Sequence, residues 1–331
     1  MKRIKIVYII DKLHRAGAQV HLSRVLQNLD LDRFEVHVVC LIEGGPLAEE
    51  LKKTGTRVHV LGIQKIYNLK AFRKFFVLIR FMKKHRFNIV HNYLFSANIY
   101  GTIAAWLAQI PVIITSRRDT GRLREGGRLH ILAYRLTNPV VHKVVCVTES
   151  VKNIVRRKEK LSPDKMITIY NGIAPALRTP TASEKQELRK QCGIDPSDQV
   201  VGLIANFNWI KGHTVFIEAA AQVVQQRQDV KFLLIGDGAL REKIQSQIKA
   251  SGLEDKVLLL GKRDDIGNIL HIMDVSVNLS YSEGMSNTLL ESMAAGVPLV
   301  ATDVDGNRET VCSYPTDDCT GILVPSKDPE A

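Results

Sequence analysis

Two glutamates are the only charged residues in the segment SYSEGMSNTLLESMAAGVPLV, which covers residues 280–300. After Gly284, every residue except Glu291 is small, apolar or weakly polar. The solvent-facing side of a helix normally carries several charges, so an ordinary surface position is the weaker interpretation of Glu291. We interpret Glu283 and Glu291 as carboxylates that accept hydrogen bonds from the hydroxyl groups of a bound polyol.

A helix is predicted to begin just after Ser286 or Asn287, either of which can cap it. The backbone amides of Met285, Ser286 and Asn287 then lie at a helix N-terminus, where they can bind an anion. Glu283 lies in the loop before this helix, and Glu291 lies on a small, polar face of it. One anion site flanked by two carboxylates suits a nucleotide-sugar, which combines a diphosphate, a ribose and a hexose.

Short β-branched runs alternate with helical stretches along the whole chain. Because the runs are apolar on both faces, they predict parallel strands covered by helices, arranged as two doubly wound, Rossmann-like α/β sheets. The predicted strands are 4–10, 34–42, 57–63, 88–94, 111–116, 143–148 and 166–172 in the first half, and 199–207, 230–238, 256–261, 275–280, 298–303 and 321–325 in the second.

The chain has 331 residues, which is too long for one ordinary core and suits two domains. The Pro-, Ala- and Thr-rich stretch 171–185 is the best candidate linker, so we predict domains over 1–172 and 173–331. Ligands of doubly wound sheets bind at the carboxyl ends of the strands, and we expect those ends of the two domains to face one cleft. Because a helix normally follows a strand such as 321–325, we also expect the second domain to lack its final helices.

Charge is unevenly distributed along the chain. Residues 1–180 contain 32 Lys/Arg and 12 Asp/Glu, a balance of +20, and residues 181–331 contain 14 and 22, a balance of −8, which together give the overall +12. The basic half favours an anionic partner: a membrane surface, a phosphorylated acceptor or nucleic acid. No apolar run approaches the ~18 residues of a membrane span. Five cysteines without CxxC spacing indicate reduced thiols in a cytoplasmic protein.

The segment EGMSNTLLE, residues 283–291, resembles the E-x7-E motif of the GT4-type family of retaining glycosyltransferases, which have the GT-B fold. The resemblance continues, in the family's order and spacing, through VHNYLFSANIYGTIAAWLAQIPVIITS, ITIYNGI, IKGH, KFLLIGDGALREKI and GILVP. It implies that Glu283 contacts the donor sugar and that Glu291 holds the ribose. It also implies that Lys211 binds the donor diphosphate and stabilises the leaving group, whereas on its own this lysine would be interpreted as a surface residue beside a turn glycine.

Three segments depart from the family pattern. Asn206 stands where the family usually has an arginine. After the first strand the family often has GGAE; this chain has RAGAQ, which keeps Gly17 but has Ala16 and Gln19 instead. A glycine at this turn lets the backbone approach a phosphate, and a plain turn is an equal alternative. Arg117 stands where many members have a histidine near the reacting sugar, so it joins Lys211 and Glu283 as a candidate catalytic residue.

The first half also contains candidate contacts to an acceptor. Residues 117–128 contain five arginines, and paired guanidiniums such as those of Arg117 and Arg118 suit a phosphate group, although a solvated loop is the alternative. His91 ends a strand and is either a core histidine or a contact to the acceptor. The basic, amphipathic stretch 69–87 is interpreted as a crossover helix whose outer face can also lie against an anionic membrane.

The sequence therefore predicts a retaining, metal-independent hexosyltransferase that acts on a lipid-linked or polysaccharide acceptor at the cytoplasmic face of a membrane. A UDP-sugar is the favoured donor, GDP-mannose is the second, and no cofactor is expected. The alternatives are a non-catalytic sugar-nucleotide-binding subunit of a glycosyltransferase complex, a nucleic-acid-binding protein, which lacks a recognition motif, and an epimerase of the same fold, which the E-x7-E spacing disfavours. The expected donor-binding residues are Gly17, Asn206, Lys211, Glu283, Gly284, Met285, Ser286, Asn287 and Glu291, and the expected acceptor-binding residues are His91, Arg117 and Arg118.

Overall fold

The computed structural model describes residues 3–63, 69–119, 127–173 and 179–330. The chain divides into two compact units, Met1–Asn171 and Gly172–Ala331. The boundary between them falls one residue before the expected one, inside the stretch that the sequence indicated as a linker.

The first unit is built on a seven-stranded parallel sheet. Its strands are β1 (Ile4–Lys12), β2 (Phe34–Glu43), β3 (Arg57–Val60), β4 (Ile89–Asn92), β5 (Val112–Arg117), β6 (Lys143–Cys146) and β7 (Met166–Thr168), in the spatial order β3-β2-β1-β4-β5-β6-β7. Its helices are α1 (Gly17–Gln27), α2 (Pro46–Lys53), α3 (Leu69–His85), α4 (Phe95–Leu107), α5 (Gly127–Thr137) and α6 (Glu149–Glu159). In the central β1, every residue from Ile6 to Ile10 is buried, as expected for a strand covered on both faces.

The strand order reverses beside β1, where the chain returns from β3 to β4. Because crossovers between parallel strands are right-handed, this reversal places α1 and α2 on one face of the sheet and α3 to α6 on the other. The packing agrees: α1 contacts α2, while α3 contacts α4, α4 contacts α5 and α5 contacts α6. The carboxyl ends of β1, β4 and β5 therefore lie at the switch point, where ligands of such sheets bind.

The second unit repeats this plan with six parallel strands in the order β10-β9-β8-β11-β12-β13. They are β8 (Gln199–Ile204), β9 (Val230–Ile235), β10 (Val257–Gly261), β11 (Val275–Asn278), β12 (Leu299–Thr302) and β13 (Gly321–Val324). The helices are α7 (Ala182–Gln191), α8 (His213–Gln226), α9 (Arg241–Ala250), α10 (Ile266–Leu270), α11 (Asn287–Ala294) and α12 (Asp305–Arg308). Here the order reverses between β8 and β11.

All thirteen predicted strands are present, and the prediction of two doubly wound sheets is confirmed. The predicted linker contains no strand in its described part; α7 begins at Ala182, and residues 174–178 lie outside the described residues. The helix predicted after Ser286 is α11. Inside α11, Leu289 and Ser292 are fully buried, and the Ser292 hydroxyl donates to Ser276 Oγ at 2.7 Å.

Three histidines pack together at the edge of the first sheet. His37 Nδ1 lies 3.1 Å from His59 Nε2, and the His85 ring lies 4.9 Å from the His37 ring. Burial lowers the pKa of His37 to about 4. A hydrogen bond to the Glu35 carboxylate raises this pKa, and the neighbouring His59, His85 and Arg57 lower it further. Burial also lowers the pKa of His59 and of His85. The cluster is therefore neutral in the folded protein at neutral pH.

We expect the first unit to lose stability as the pH falls from about 6.5 to about 4. In this window an unfolded chain protonates His37 while the folded chain does not, so protons favour unfolding. Between pH 7 and pH 5 this histidine alone should cost about 1–2 kcal/mol. Urea unfolding of wild type and His37→Gln at both pH values measures the difference, with the more exposed His14→Gln as the matched control. Equal losses in all three proteins would contradict the assignment.

Candidate functional site

Lys211 and Glu283, predicted from separate motifs, meet in the second unit. Lys211 ends a 3-10 turn, Trp209–Lys211, that follows β8, and Glu283 lies between β11 and α11. Lys211 Nζ donates to Glu283 Oε1 in an ion pair, and the Ser280 hydroxyl donates to the same oxygen at 2.7 Å. The two charged side chains are 23% and 11% exposed, so the pair is mostly shielded but reachable from solvent.

Gly212 allows the lysine turn to approach the end of β11. Its φ is +70°, and a Cβ at this position would lie 2.2 Å from the Leu279 carbonyl oxygen. A backbone hydrogen bond from Tyr281 to Ile210, 2.7 Å long, joins the same two segments. Any larger residue at 212 would force them apart, because the atom it meets belongs to the backbone. Close backbone contact therefore fixes the separation of the two segments that carry Lys211 and Glu283.

The other side of the Glu283 loop packs on the residues that follow β12. A Cβ on Gly306 would lie 2.3 Å from the Gly284 carbonyl oxygen. Asn307 is fully buried and donates to the Thr302 carbonyl at 3.0 Å, while the Thr302 hydroxyl donates to the Ser280 carbonyl at 2.5 Å. These supporting residues were not identified from the sequence. They could have been found from their position just after β12, because β12 is the neighbour of β11 in a parallel sheet.

The start of α11 lies where the sequence predicted it, and anion binding there stays a prediction. Ser286 is its N-cap: the hydroxyl accepts from the Leu289 amide at 3.5 Å and from Asn278 Nδ2 at 3.0 Å. Glu291 is partly buried and lies one helical turn beyond Asn287. A helix N-terminus favours negative charge because its amide groups and dipole point toward the ligand. The residues at this terminus are Gly284, Met285, Ser286 and Asn287.

Two further donor contacts were expected, one in each unit. Asn206 is exposed just after β8, and its neighbour Asn208 caps the lysine turn by accepting from the Ile210 amide at 3.2 Å. Gly17 is the first residue of α1 in the first unit and is exposed. Its placement at a helix N-terminus is the one that the sequence predicted, and its contact to a phosphate stays a prediction.

Arg117 has an environment that the sequence did not predict. It ends β5 instead of lying in a loop, and its side chain is only 5% exposed. Its guanidinium makes two hydrogen bonds to Glu159, each 2.9 Å long, and one to Thr115 Oγ1 at 3.0 Å. Its Cζ also lies 3.7 Å from the centre of the Tyr134 ring. These contacts occupy the fork that was expected to clamp a phosphate, so the structure supports a structural role for Arg117.

Arg118 and His91 lie together at the switch point of the first sheet. Arg118 donates to Asn171 Oδ1 and lies 5.9 Å from the Tyr93 ring centre. His91 Nε2 lies 2.8 Å from Ser116 Oγ. Burial, with further contributions from Arg118 and His21, lowers the pKa of His91 to about 3, so it is neutral at neutral pH. Two of the five arginines of residues 117–128, at 122 and 124, lie outside the described residues.

A cavity of about 120 Å³ lies beside this cluster, between α4, α5 and α6. Arg118 lines it together with Phe95, Asn98 and His130. Asn98 is 1% exposed and donates to the Ser116 carbonyl at 2.8 Å, but its Oδ1 has no hydrogen-bond partner among the described residues. This oxygen is itself buried, so it is not exposed to a ligand in the cavity.

Two family models match the chain in succession. The model described as Glycosyltransferase Family 4 matches residues 15–177, and the model described as Glycosyl transferases group 1 matches residues 184–331. The chain belongs to the GT4-type glycosyltransferases. The two matched spans correspond to the two units of the fold, so the family assignment and the architecture agree.

This glycosyltransferase is similar in sequence to two bacterial enzymes. It is 26% identical over 320 residues to the UDP-Gal:alpha-D-GlcNAc-diphosphoundecaprenol alpha-1,3-galactosyltransferase of Escherichia coli, covering 92% of this chain and 81% of that protein. It is 35% identical over 169 residues to the N-acetyl-alpha-D-glucosaminyl L-malate synthase of Bacillus anthracis, covering 51% of this chain and 43% of that protein.

The fold of this glycosyltransferase matches solved GT-B structures. Anabaena Alr3699/HepE in complex with UDP-glucose superposes with a TM-score of 0.85 at 21% identity, covering 99% of this chain and 87% of that one. The expectation of a GT-B fold is confirmed.

Among the described residues, no group of three or more His, Cys, Asp or Glu side chains is placed to hold a metal ion. Within the same residues, no helix is long and apolar enough to cross a membrane.

Proposed function

We propose that this glycosyltransferase moves a hexose from a UDP-sugar to a lipid-linked or saccharide acceptor with retention of configuration, with GDP-mannose as the second donor candidate. The observation that carries the proposal is the Lys211–Glu283 pair beside the N-terminus of α11. The Escherichia coli protein named above, which uses UDP-galactose and a diphosphoundecaprenol-linked acceptor by its name, supports the donor and the acceptor class.

In the proposed reaction, different residues of the second unit contact different parts of the donor. The leaving diphosphate gains negative charge as the bond to the sugar breaks, and the Lys211 ammonium and the amides at the start of α11 stabilise that charge. Glu283 accepts hydrogen bonds from the donor sugar, and Glu291 accepts them from the ribose. Retention of configuration requires the acceptor hydroxyl to approach the anomeric carbon from the same face of the sugar ring that the diphosphate leaves.

The two glutamates should separate binding from turnover. Glu291→Ala should weaken the binding of free UDP about tenfold, because one hydrogen-bonded charged partner of the ribose is lost. Glu283→Ala should leave UDP binding at wild-type strength or tighter, since it also frees Lys211 from its carboxylate partner, while turnover falls. Titration calorimetry with UDP and steady-state kinetics measure both, with the exposed Glu254→Ala as control. Wild-type UDP affinity in Glu291→Ala would count against the ribose assignment.

Transfer should not require a metal ion, because Lys211 and the helix amides supply the positive charge that the diphosphate needs. We expect activity to persist after dialysis against EDTA and to change little when Mg²⁺ or Mn²⁺ is added. Loss of activity with EDTA and recovery with either cation would show that a metal shares the diphosphate.

The acceptor is proposed to contact Arg118, His91 and the cavity beside them, at the cytoplasmic face of a membrane. Arg118 is partly exposed and lies at the switch point of the first sheet, which supports this assignment over Arg117.

The exposed Asn206, in place of the family's usual arginine, keeps the non-catalytic binding subunit as a second candidate function. Slow release of UDP from UDP-glucose without acceptor separates the two, since only an enzyme breaks that bond. Binding of the nucleotide-sugar without any release or transfer would favour the subunit.

A further inference from the structure

Helix α4 carries its large apolar side chains on the outside. Its buried face against the sheet is small and partly polar, consisting of Ala97, Asn98, Gly101, Thr102, Ala104 and Ala105. Its outer face carries Ile103, Trp106 and Leu107, which are 38%, 57% and 42% exposed. A surface helix normally has the opposite arrangement, with its apolar stripe toward the core. The outer face of α4 is therefore suited to an apolar environment.

Helix α3 extends this surface. It packs beside α4 through Phe75, whose ring lies 4.9 Å from the Tyr100 ring, and through a 2.8 Å hydrogen bond from the Tyr100 hydroxyl to the Ala71 carbonyl. Its outer face carries three large apolar residues that are about half exposed: Phe72, Phe76 and Val77. Six exposed apolar side chains on two adjacent helices form one surface, which we call the α3–α4 face.

The charged residues of the two helices that form the α3–α4 face are all of one sign. The 30 residues of the two helices contain six Lys/Arg and no Asp or Glu. Five of these cations are exposed among or beside the apolar residues: Arg73, Lys74, Arg80, Lys83 and Lys84. Apolar side chains interleaved with cations, and a tryptophan among them, are typical of helices that lie in the interface of an anionic bilayer.

We propose that the α3–α4 face inserts its apolar side chains into the surface of an anionic phospholipid bilayer. A second copy of the chain is a poorer occupant, because a two-fold contact through this face would bring the two sets of cations together without a carboxylate from either helix to neutralise them. A chain docked in this way would encounter the proposed lipid-linked acceptor at the bilayer surface. The docking itself requires neither donor nor acceptor.

Insertion is distinguished from charge attraction alone by Trp106. In a Trp209→Phe background, Trp106 is the single tryptophan of the chain. With vesicles of phosphatidylcholine and phosphatidylglycerol, its emission should shift to the blue and be quenched by lipids brominated on their acyl chains. Vesicles of phosphatidylcholine alone should bind weakly. Because apolar contact is not screened by salt, part of the binding should survive ionic strengths at which the Debye length is only ~3 Å.

The matched variants are exposed apolar residues on the two units. Phe76→Ser with Trp106→Ser should lower vesicle co-sedimentation by about tenfold or more, given the apolar area that two large side chains bury. Ile322→Ser with Tyr314→Ser removes similarly exposed residues from the second unit and should change nothing. Lys211→Ala should bind vesicles like the wild type. A failure of the proposed transfer reaction would therefore leave vesicle binding unchanged, whereas a failure of this inference would appear in vesicle binding itself.

Three outcomes would overturn the proposal. An unshifted Trp106 spectrum together with complete loss of binding at high salt would leave only a diffuse electrostatic attraction. Equal vesicle binding by both Ser pairs would place the contact elsewhere on the chain. A dimer that dissociates in the Phe76→Ser, Trp106→Ser variant, measured by sedimentation without lipid, would show that a second copy covers the face.

Discussion

Lys211→Ala should reduce kcat by two to three orders of magnitude while the protein remains folded. The lost ammonium is the one side-chain cation that contacts Glu283 among the described residues, and a single donor aimed at developing charge contributes about 2.7–4 kcal/mol to a transition state. Because the leaving diphosphate gains charge only as the bond breaks, kcat should fall more than the affinity for the intact donor. Steady-state kinetics with UDP-sugar and acceptor measures both.

The control for this variant is Lys249→Ala, an exposed lysine on α9 of the same unit. It should keep wild-type kinetics, since it removes an equal charge at a position outside the site. Lys211→Arg should recover only part of the rate, because a planar guanidinium cannot reproduce the position of a point charge on a flexible stem. A Lys211→Ala enzyme within threefold of the wild type would remove this residue from the mechanism.

Glu159→Ala should destabilise the first unit by about 3–5 kcal/mol, because it leaves the Arg117 guanidinium charged and buried without its partner. Urea unfolding measures this loss. The exposed pair Arg227–Asp229 provides the control, and Asp229→Ala should leave the urea midpoint close to that of the wild type. An effect of Glu159→Ala as small as that of the surface variant would mean that Arg117 finds other partners or water.

The double variant Arg117→Met, Glu159→Leu decides between the two roles considered for Arg117. Replacing both charges with apolar residues of similar size should restore most of the lost stability. If Arg117 is structural, this stable variant should transfer sugar at close to the wild-type rate. A stable variant that binds donor but no longer uses acceptor would return Arg117 to the acceptor site, as the sequence suggested.

Local and periodic features were predictable from the sequence. The strands followed from β-branched runs, and the start of α11 followed from Ser286, because a helix cap involves residues only three positions apart. The proximity of Lys211 to Glu283, 72 residues away, could be expected only through the family resemblance. Strand ends that meet at one sheet edge bring such residues together, but the spacing along the chain does not reveal which side chains touch.

The sequence did not reveal the surroundings of Arg117 or the orientation of α4. Glu159 lies 42 residues after Arg117, and nothing in its own segment distinguishes it from the charged residues beside it. The α4 segment, FSANIYGTIAAWL, has apolar residues around its whole circumference, so periodicity could not indicate which side faces the sheet. In both cases the outcome depends on tertiary packing, which cannot be inferred from the pattern of a single sequence.

The ion pair between Lys211 and Glu283 has a consequence for ion selectivity under the proposed function. A small anion such as inorganic phosphate would have to compete with a carboxylate that already neutralises the lysine, and its own negative charge would be repelled by Glu283. A nucleotide-sugar brings phosphate oxygens for the lysine and hydroxyl groups for the glutamate in one molecule, so both members of the pair exchange partners together. The site therefore carries its own counter-ion. Free phosphate, although abundant in a cell, displaces this carboxylate from the lysine poorly, whereas the complete donor displaces it.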